Sequence, residues 1–196
     1  MDKKELVELL RERRISEQTL GAFKKVKREA FVQEDYRKYS YEDRALPIAH
    51  GATISQPSTI AFMLDLLELK PNLSVLEIGS GSGYVIALID AITSSKVYGV
   101  EIIKELARSS QRVLEHNKNI IIINKSGSRG LPEHAPYDRI LISASACRVP
   151  LYLLNQLKDG GIIVASVRNS IIKLKKNKDR IKKEEFPGFA FVPLQG

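Results

Sequence analysis

The residues whose types and spacing point most directly to chemistry lie in Val75-Leu76-Glu77-Ile78-Gly79-Ser80-Gly81-Ser82-Gly83-Tyr84. A short, mostly apolar run, Val75 to Ile78, meets three glycines at alternate positions. An apolar stretch from Tyr84 to Ile92 follows and is long enough for a helix. Strand, tight turn, helix is the first unit of a doubly wound α/β sheet. Glycine lets the backbone turn sharply and, lacking Cβ, lets a ligand approach the main chain. The helix N-terminus behind the turn offers unpaired N–H groups. Dinucleotide loops are spaced G-x-G-x-x-G. Here the pattern is G-x-G-x-G, and Tyr84 stands where the third glycine would be. A nucleoside without phosphates therefore fits better than a pyrophosphate. The pattern Lys96 to Val100 reads as the next strand and ends at Glu101. About 20 residues past such a turn, a carboxylate can accept hydrogen bonds from ribose hydroxyls.

Those residues need a scaffold, and the composition can supply one. The chain has 196 residues, 43% of them hydrophobic, which suits one domain with a full core. No membrane-spanning segment or signal peptide is expected. A single cysteine, Cys147, excludes an internal disulfide and fits a reducing, cytoplasmic location. His50, His116 and His134 are too scattered for a metal site, so none is expected. The net charge of +8 suggests anionic partners, either nucleic acid or peptide carboxylates, or simply a lysine-rich surface.

Taken in order, the chain opens with an amphipathic helix, Lys3 to Arg13. Ser16 then reads as the N-cap of a second, Glu17 to Val26. Arg11, Arg13, Arg14, Lys24, Lys25, Lys27 and Arg28 read as the wet side of these helices, with a nucleic-acid patch as the alternative. Phe31 to Pro57 lacks periodicity, and an irregular stretch of that length inside a domain is usually functional. Pro57 opens an apolar helix, Ser58 to Leu69, for which Ser55 is a natural N-cap. Alternating units follow. Strands are expected at Ser74–Ile78, Lys96–Glu101, Ile120–Ile123, Arg139–Ser143 and Gly161–Val167. Helices are expected at Gly83–Ile92, Ile103–His116 (Leu106, Ala107, Val113 and Leu114 inward) and Pro150–Leu157. This predicts a mostly parallel, three-layer α/β sandwich. The tail reads as a basic antiparallel hairpin, Ile171–Lys176 and Arg180–Glu185, turning at Asn177-Lys178-Asp179, with a last strand from Phe189 to Pro193.

The glycine turn and Glu101 resemble motif I and its partner acid in the Rossmann-like S-adenosylmethionine-dependent methyltransferases. Further segments resemble one family of them, the protein-L-isoaspartate (D-aspartate) O-methyltransferases. They are Phe31-Val32, Tyr41-Glu42-Asp43, Leu46-Pro47-Ile48, Thr53-Ile54-Ser55-Gln56-Pro57, Ala135-Pro136-Tyr137-Asp138-Arg139-Ile140, Leu157-Lys158-Asp159-Gly160-Gly161 and Phe191-Val192-Pro193-Leu194. The resemblance covers nearly the whole chain, 1–196. It implies a helical and lid segment, 1–57, on an α/β core, 58–196. It implies methylation of the α-carboxylate of L-isoaspartyl residues, with D-aspartyl residues as an extension. The methyl ester leaves readily, so a succinimide forms and reopens partly to normal aspartate. Ser55 corresponds to the active-site serine. Thr53 and Ile54 lie over the cofactor. Gly79, Ser80, Gly81, Ser82 and Gly83 hold the methionine part of S-adenosylmethionine, Glu101 the ribose, and Ser126-Gly127 the adenine, with Glu77 also among the cofactor-binding residues. The expected partners are damaged proteins and isoaspartyl peptides, not nucleic acid, and the expected state is a monomer.

The chemistry permits this. A carboxylate is already ionised near pH 7, so displacement at a sulfonium methyl needs no general base, only alignment. A hydroxyl can orient the carboxylate without locking up its charge, whereas a strong cationic clamp would stabilise the ground state. Three departures stand out. The family's Gly-Asp-Gly is Lys125-Ser126-Gly127 here, which should loosen the cofactor by about 1–3 kcal/mol. Ser58-Thr59-Ile60 replaces a segment where some members carry histidine or tyrosine. Ala165-Ser166-Val167-Arg168 replaces the usual Pro-Val-Gly, and the tail beyond is shorter. Two other readings stay open. One is a methyltransferase for RNA or another substrate, although Ser143-Ala144-Ser145-Ala146 lacks the Asn/Asp-Pro-Pro-Tyr that exocyclic amines call for and Cys147 has no visible activating partner. The other is a weakened cofactor- or peptide-binding homologue.

Overall fold

The computed structural model describes residues 1–178 and 180–189. The central strand is buried on both faces. In β3 (Val75–Ile78), Val75 joins the core on one face and Leu76 and Ile78 the core on the other. Around it run β4 (Val97–Glu101), β5 (Ile120–Asn124), β6 (Tyr137–Ala146), β7 (Leu157–Val167), β8 (Ser170–Asn177) and β9 (Arg180–Pro187). The sheet order is β5-β4-β3-β6-β7-β8-β9, parallel through β7 and antiparallel for the last two strands. The chain runs outward from β3 to β5, then returns to lay β6 on the other side of β3. That reversal leaves a crevice at the carboxyl ends of β3 and β6, where doubly wound sheets bind ligands. Among the described residues no helix is long and apolar enough to cross a membrane.

Five helices, α1 (Lys3–Glu12), α2 (Glu17–Lys25), α3 (Pro57–Leu66), α4 (Tyr84–Thr93) and α5 (Lys104–Val113), share one large core with β3. The opposite face is covered by less. The helix expected at 150–157 is a six-residue 3-10 turn, Leu151–Gln156, because Leu157 is already paired with Tyr137 at the start of β7. Val113, expected inward, is 41% exposed, since Leu114 takes the inward place in the last turn of α5. Residues 31–57 form short 3-10 turns and a small hairpin, β1 (Leu46–Pro47) with β2 (Thr53–Ile54). The strand expected from Phe189 to Pro193 lies outside the described residues apart from Phe189, and Asp179 of the expected hairpin turn lies outside them too.

Both ends of α3 are fixed by charged side chains from elsewhere. Asp43 Oδ1 accepts from the Ser58 N–H at 2.8 Å, while the N-cap is Gln56, with no capping bond of its own. Ser55 is therefore not the cap it was expected to be. At the other end, Arg139 of β6 donates to the carbonyls of Leu67 and Glu68, satisfying groups a helix leaves open. From the last turn of α3, Asp65 reaches α2. Its Oδ2 accepts from the Ser16 N–H at 2.9 Å, and its Oδ1 from Ser16 Oγ at 2.7 Å and Thr19 Oγ1 at 2.6 Å. Ser16 in turn caps α2 by accepting from the Thr19 N–H.

Asp65→Ala should cost about 2–3 kcal/mol in urea unfolding, because it removes a charged acceptor shared by three donors. A change below about 0.5 kcal/mol would show that the N-terminal helices do not depend on this carboxylate.

Candidate active site

The glycine turn has the left-handed geometry that favours glycine. Gly79, Gly81 and Gly83 have φ of 80°, 51° and 86°. A Cβ on Gly79 would sit 2.9 Å from that of Ala144, whereas one on Gly81 would meet nothing closer than Ile48 Cδ1 at 3.6 Å. The backbone at Gly81 is thus open toward a hollow of about 890 Å³, within the range of small-molecule sites. Thr53, Ile54, Ser55, Glu77, Gly79, Ser80, Gly81, Ser82, Glu101, Ser126 and Gly127 all line this one space. Gly83 does not line it; it precedes α4 as its N-cap.

Two carboxylates stand in the wall, in different states. Glu101, at the end of β4, accepts from the Gly81 N–H at 2.8 Å (Oε2) and the Ile103 N–H at 2.9 Å (Oε1). It braces the glycine turn against the start of α5 and keeps lone pairs for a further donor. Glu77, on β3, is wholly buried. Ser143 Oγ donates to its Oε1 at 2.6 Å, but its Oε2 has no partner. Burial raises its pKa to about 8 against the Ser143 bond, and the nearby Glu101 charge adds to the rise. An unpartnered buried oxygen facing a large cavity calls for a donor, and a cation best of all. Among the described residues there is no group of three or more His, Cys, Asp or Glu suited to a metal ion.

The lid over this floor is held from behind. Arg28, expected on the wet side of the N-terminal helices, is 0% exposed. It donates from Nη2 to the Ser55 carbonyl at 2.9 Å and lies over the Tyr84 ring at 5.0 Å. Burial lowers its pKa to about 10, so it is charged at neutral pH. Arg28 lies beyond the two helical segments, at the start of a 3-10 turn, so the amphipathic pattern does not govern it. Asp43, besides holding Ser58, accepts from Gln56 Nε2 at 3.1 Å. At the tip of the lid, His50 Nε2 lies 3.6 Å from Glu105 Oε2 of α5.

Ser126 lines the hollow in a specific way. Its Oγ accepts from the Ser128 N–H at 3.3 Å and bonds Ser128 Oγ at 3.0 Å, capping a short 3-10 turn. That hydroxyl is partly committed to its own loop. Gly127 is tightly seated, since a Cβ there would fall 2.4 Å from Ile78 Cγ2. Sequence reasoning missed Ser143, Arg13, Phe62 and Phe189 as lining residues. Only Ser143 left a trace, standing at the end of a strand expected beside the glycine strand.

The comparisons agree with this geometry. The family described as Protein-L-isoaspartate(D-aspartate) O-methyltransferase (PCMT) matches residues 1–196. A protein-L-isoaspartate O-methyltransferase of Pyrococcus horikoshii is 41% identical over 213 aligned residues, covering 100% of this chain and 97% of its own. A solved protein-L-isoaspartate O-methyltransferase superposes with a TM-score of 0.92 at 27% identity, over 100% of this chain and 66% of its own length. A Plasmodium falciparum structure, described as a putative protein-L-isoaspartate O-methyltransferase in complex with S-adenosyl-L-homocysteine, superposes with a TM-score of 0.87 at 26% identity. It covers 100% of this chain and 99% of its own. With a full-length family match and a relative of that identity and coverage, this chain belongs to the protein-L-isoaspartate (D-aspartate) O-methyltransferase family.

Proposed function

We propose that this protein transfers a methyl group from S-adenosylmethionine to the free α-carboxylate of L-isoaspartyl residues, with D-aspartyl residues as a second substrate, in damaged proteins. The observation that carries the reading is the hollow itself. It has a turn of alternate glycines, a braced carboxylate, a buried carboxylate with one oxygen lacking a donor, and a serine lid, all around one space. The residues fit the cofactor's charges. Glu77 suits its ammonium group, Glu101 the ribose hydroxyls, Gly79 to Gly83 the methionine part, and Ser126-Gly127 the adenine edge, with Thr53 and Ile54 above. The reading takes residues 1–57 and 58–196 as lid and core of one catalytic unit. The core cluster shared by α1, α3 and β8 supports this. It also takes the protein as a cytoplasmic monomer acting on protein rather than nucleic acid.

S-Adenosylmethionine, when bound, supplies a methyl on a sulfonium: the C–S bond breaks as the O–C bond forms, leaving a thioether and an ester. The chain supplies the rest. Ser55 donates one hydrogen bond to the carboxylate and aims it, while Arg28 holds the Ser55 carbonyl and Asp43 the Ser58 N–H that follows it. No base is needed, because the substrate carboxyl ionises near pH 4. Burial of the floor keeps water out, and alignment accounts for most of the rate.

A methyl-transfer assay should give base-labile methyl esters on an isoaspartyl peptide and none on its aspartyl twin or on RNA. Stable label on RNA would overturn the reading. In the same assay Ser55→Ala should lower kcat about tenfold, the scale of one oriented hydrogen bond, with little change in cofactor Kd. Equal losses in both would make Ser55 part of the cofactor site alone.

Binding of S-adenosylmethionine should also release a proton at pH 7. Glu77 is mainly protonated below its value of about 8, and a bound cation draws that value down. Calorimetry in two buffers of different ionisation enthalpy should show release approaching one proton near pH 7, fading above about pH 9. Release that persists unchanged in Glu77→Gln would contradict the assignment.

A further inference from the structure

The hollow is electrically divided. Its two acids, Glu77 and Glu101, are buried in the strand-built floor. Among the described lining residues Arg13 is the one lysine or arginine, and its side chain is 54% exposed. It comes from the end of α1, beside a left-handed turn at Arg14 (φ 63°) that swings the chain away from the helix axis. The lid and α3 line the same space with Ala45, Gln56, Thr59 and Phe62. Phe62 stacks on Phe189 at 5.7 Å, and both rings line the same space. The open side thus offers apolar surface and a single cation.

Among the described residues the cation has one ion-pair partner. Arg13 Nη2 lies 3.1 Å from Asp43 Oδ2. Asp43 has two other donors, the Ser58 N–H and Gln56 Nε2, so it stays satisfied if Arg13 leaves. Only the Arg13 end of the pair is open, 54% exposed against 9% for Asp43, so the guanidinium can turn to another carboxylate while Asp43 keeps its other donors. A guanidinium forks onto a carboxylate with two parallel bonds, which Asp43, already shared, cannot fully offer.

Building on the carboxyl-methylation reading, we propose that Arg13 is a specificity-determining residue. It leaves Asp43 to bind the side-chain carboxylate of an acidic residue within two positions of the isoaspartyl residue. The floor then sorts the cationic donor and the mouth sorts the anionic peptide, each by local charge rather than by the diffuse +8 of the whole chain. An extended peptide advances about 3.3 Å per residue, so a neighbour one or two places along reaches the wall while the reacting carboxylate stays under Ser55. Arg13 does not clamp the reacting group itself, which would oppose the charge neutralisation that methylation requires.

The test uses isoaspartyl peptides that differ only in carrying Glu, Gln or Lys at each of the two residues on either side, assayed for kcat/KM. Wild type should favour Glu over Lys at one of these positions by about three- to fivefold at low salt, less at 0.5 M salt. R13Q should bring that ratio to about one, R13E should invert it, and R13K should keep it. An equal ratio in wild type, R13Q and R13E overturns the proposal. So does a loss in R13Q that is the same for every peptide, which would place Arg13 on the reacting carboxylate or the lid. Wild-type protein inert toward all isoaspartyl peptides would instead bring down the functional reading, and this proposal with it.

Discussion

The arrangement depends on one carboxylate at one helix end. Asp43 accepts from the first free N–H of α3 and so does the work a capping serine would do. Ser55 is thereby left uncommitted to the helix, one residue upstream of the cap. From the other side the buried Arg28 holds the Ser55 carbonyl. An acid and a guanidinium thus set the position of the hydroxyl to which the proposed function assigns the substrate carboxylate. Arg139 at the far end of α3, and Asp65 in its last turn, extend this control to the sheet and to the N-terminal helices.

The floor follows a similar logic. Glu101 bonds the glycine turn and the start of α5 at once, which keeps a turn of three left-handed glycines in one shape. Glu77 is different, because its second oxygen is left without a donor in the wall. Such a group costs stability and is retained where a ligand completes it. One acid is thus structurally satisfied and ready to accept more, and the other waits for a cation. That pairing suits a ligand with hydroxyls at one place and a positive charge at another.

Much of this was legible in the chain. The short, mostly apolar strand, the alternate glycines and Glu101 define the floor because local geometry and spacing alone determine them. The lid segment was recognisable from Thr53-Ile54-Ser55-Gln56-Pro57, but the role of its neighbours was not. Arg28 follows a run of surface cations, and only the fold shows Tyr84 and the Ser55 carbonyl beside it. Asp43 lies 15 residues from the N–H it binds, and no periodicity links the two. The expected helix at 150–157 gave way to a 3-10 turn because strand pairing claimed Leu157, a tertiary effect that local propensity does not contain.

The most direct test of the central claim is a crystal structure of the protein with S-adenosylhomocysteine and an isoaspartyl peptide. The account predicts ribose hydroxyls on Glu101, the ligand's ammonium group beside Glu77 Oε2, and the peptide α-carboxylate within hydrogen-bond reach of Ser55 Oγ. A ligand seated elsewhere, or Ser55 turned away from the peptide carboxylate, would contradict it.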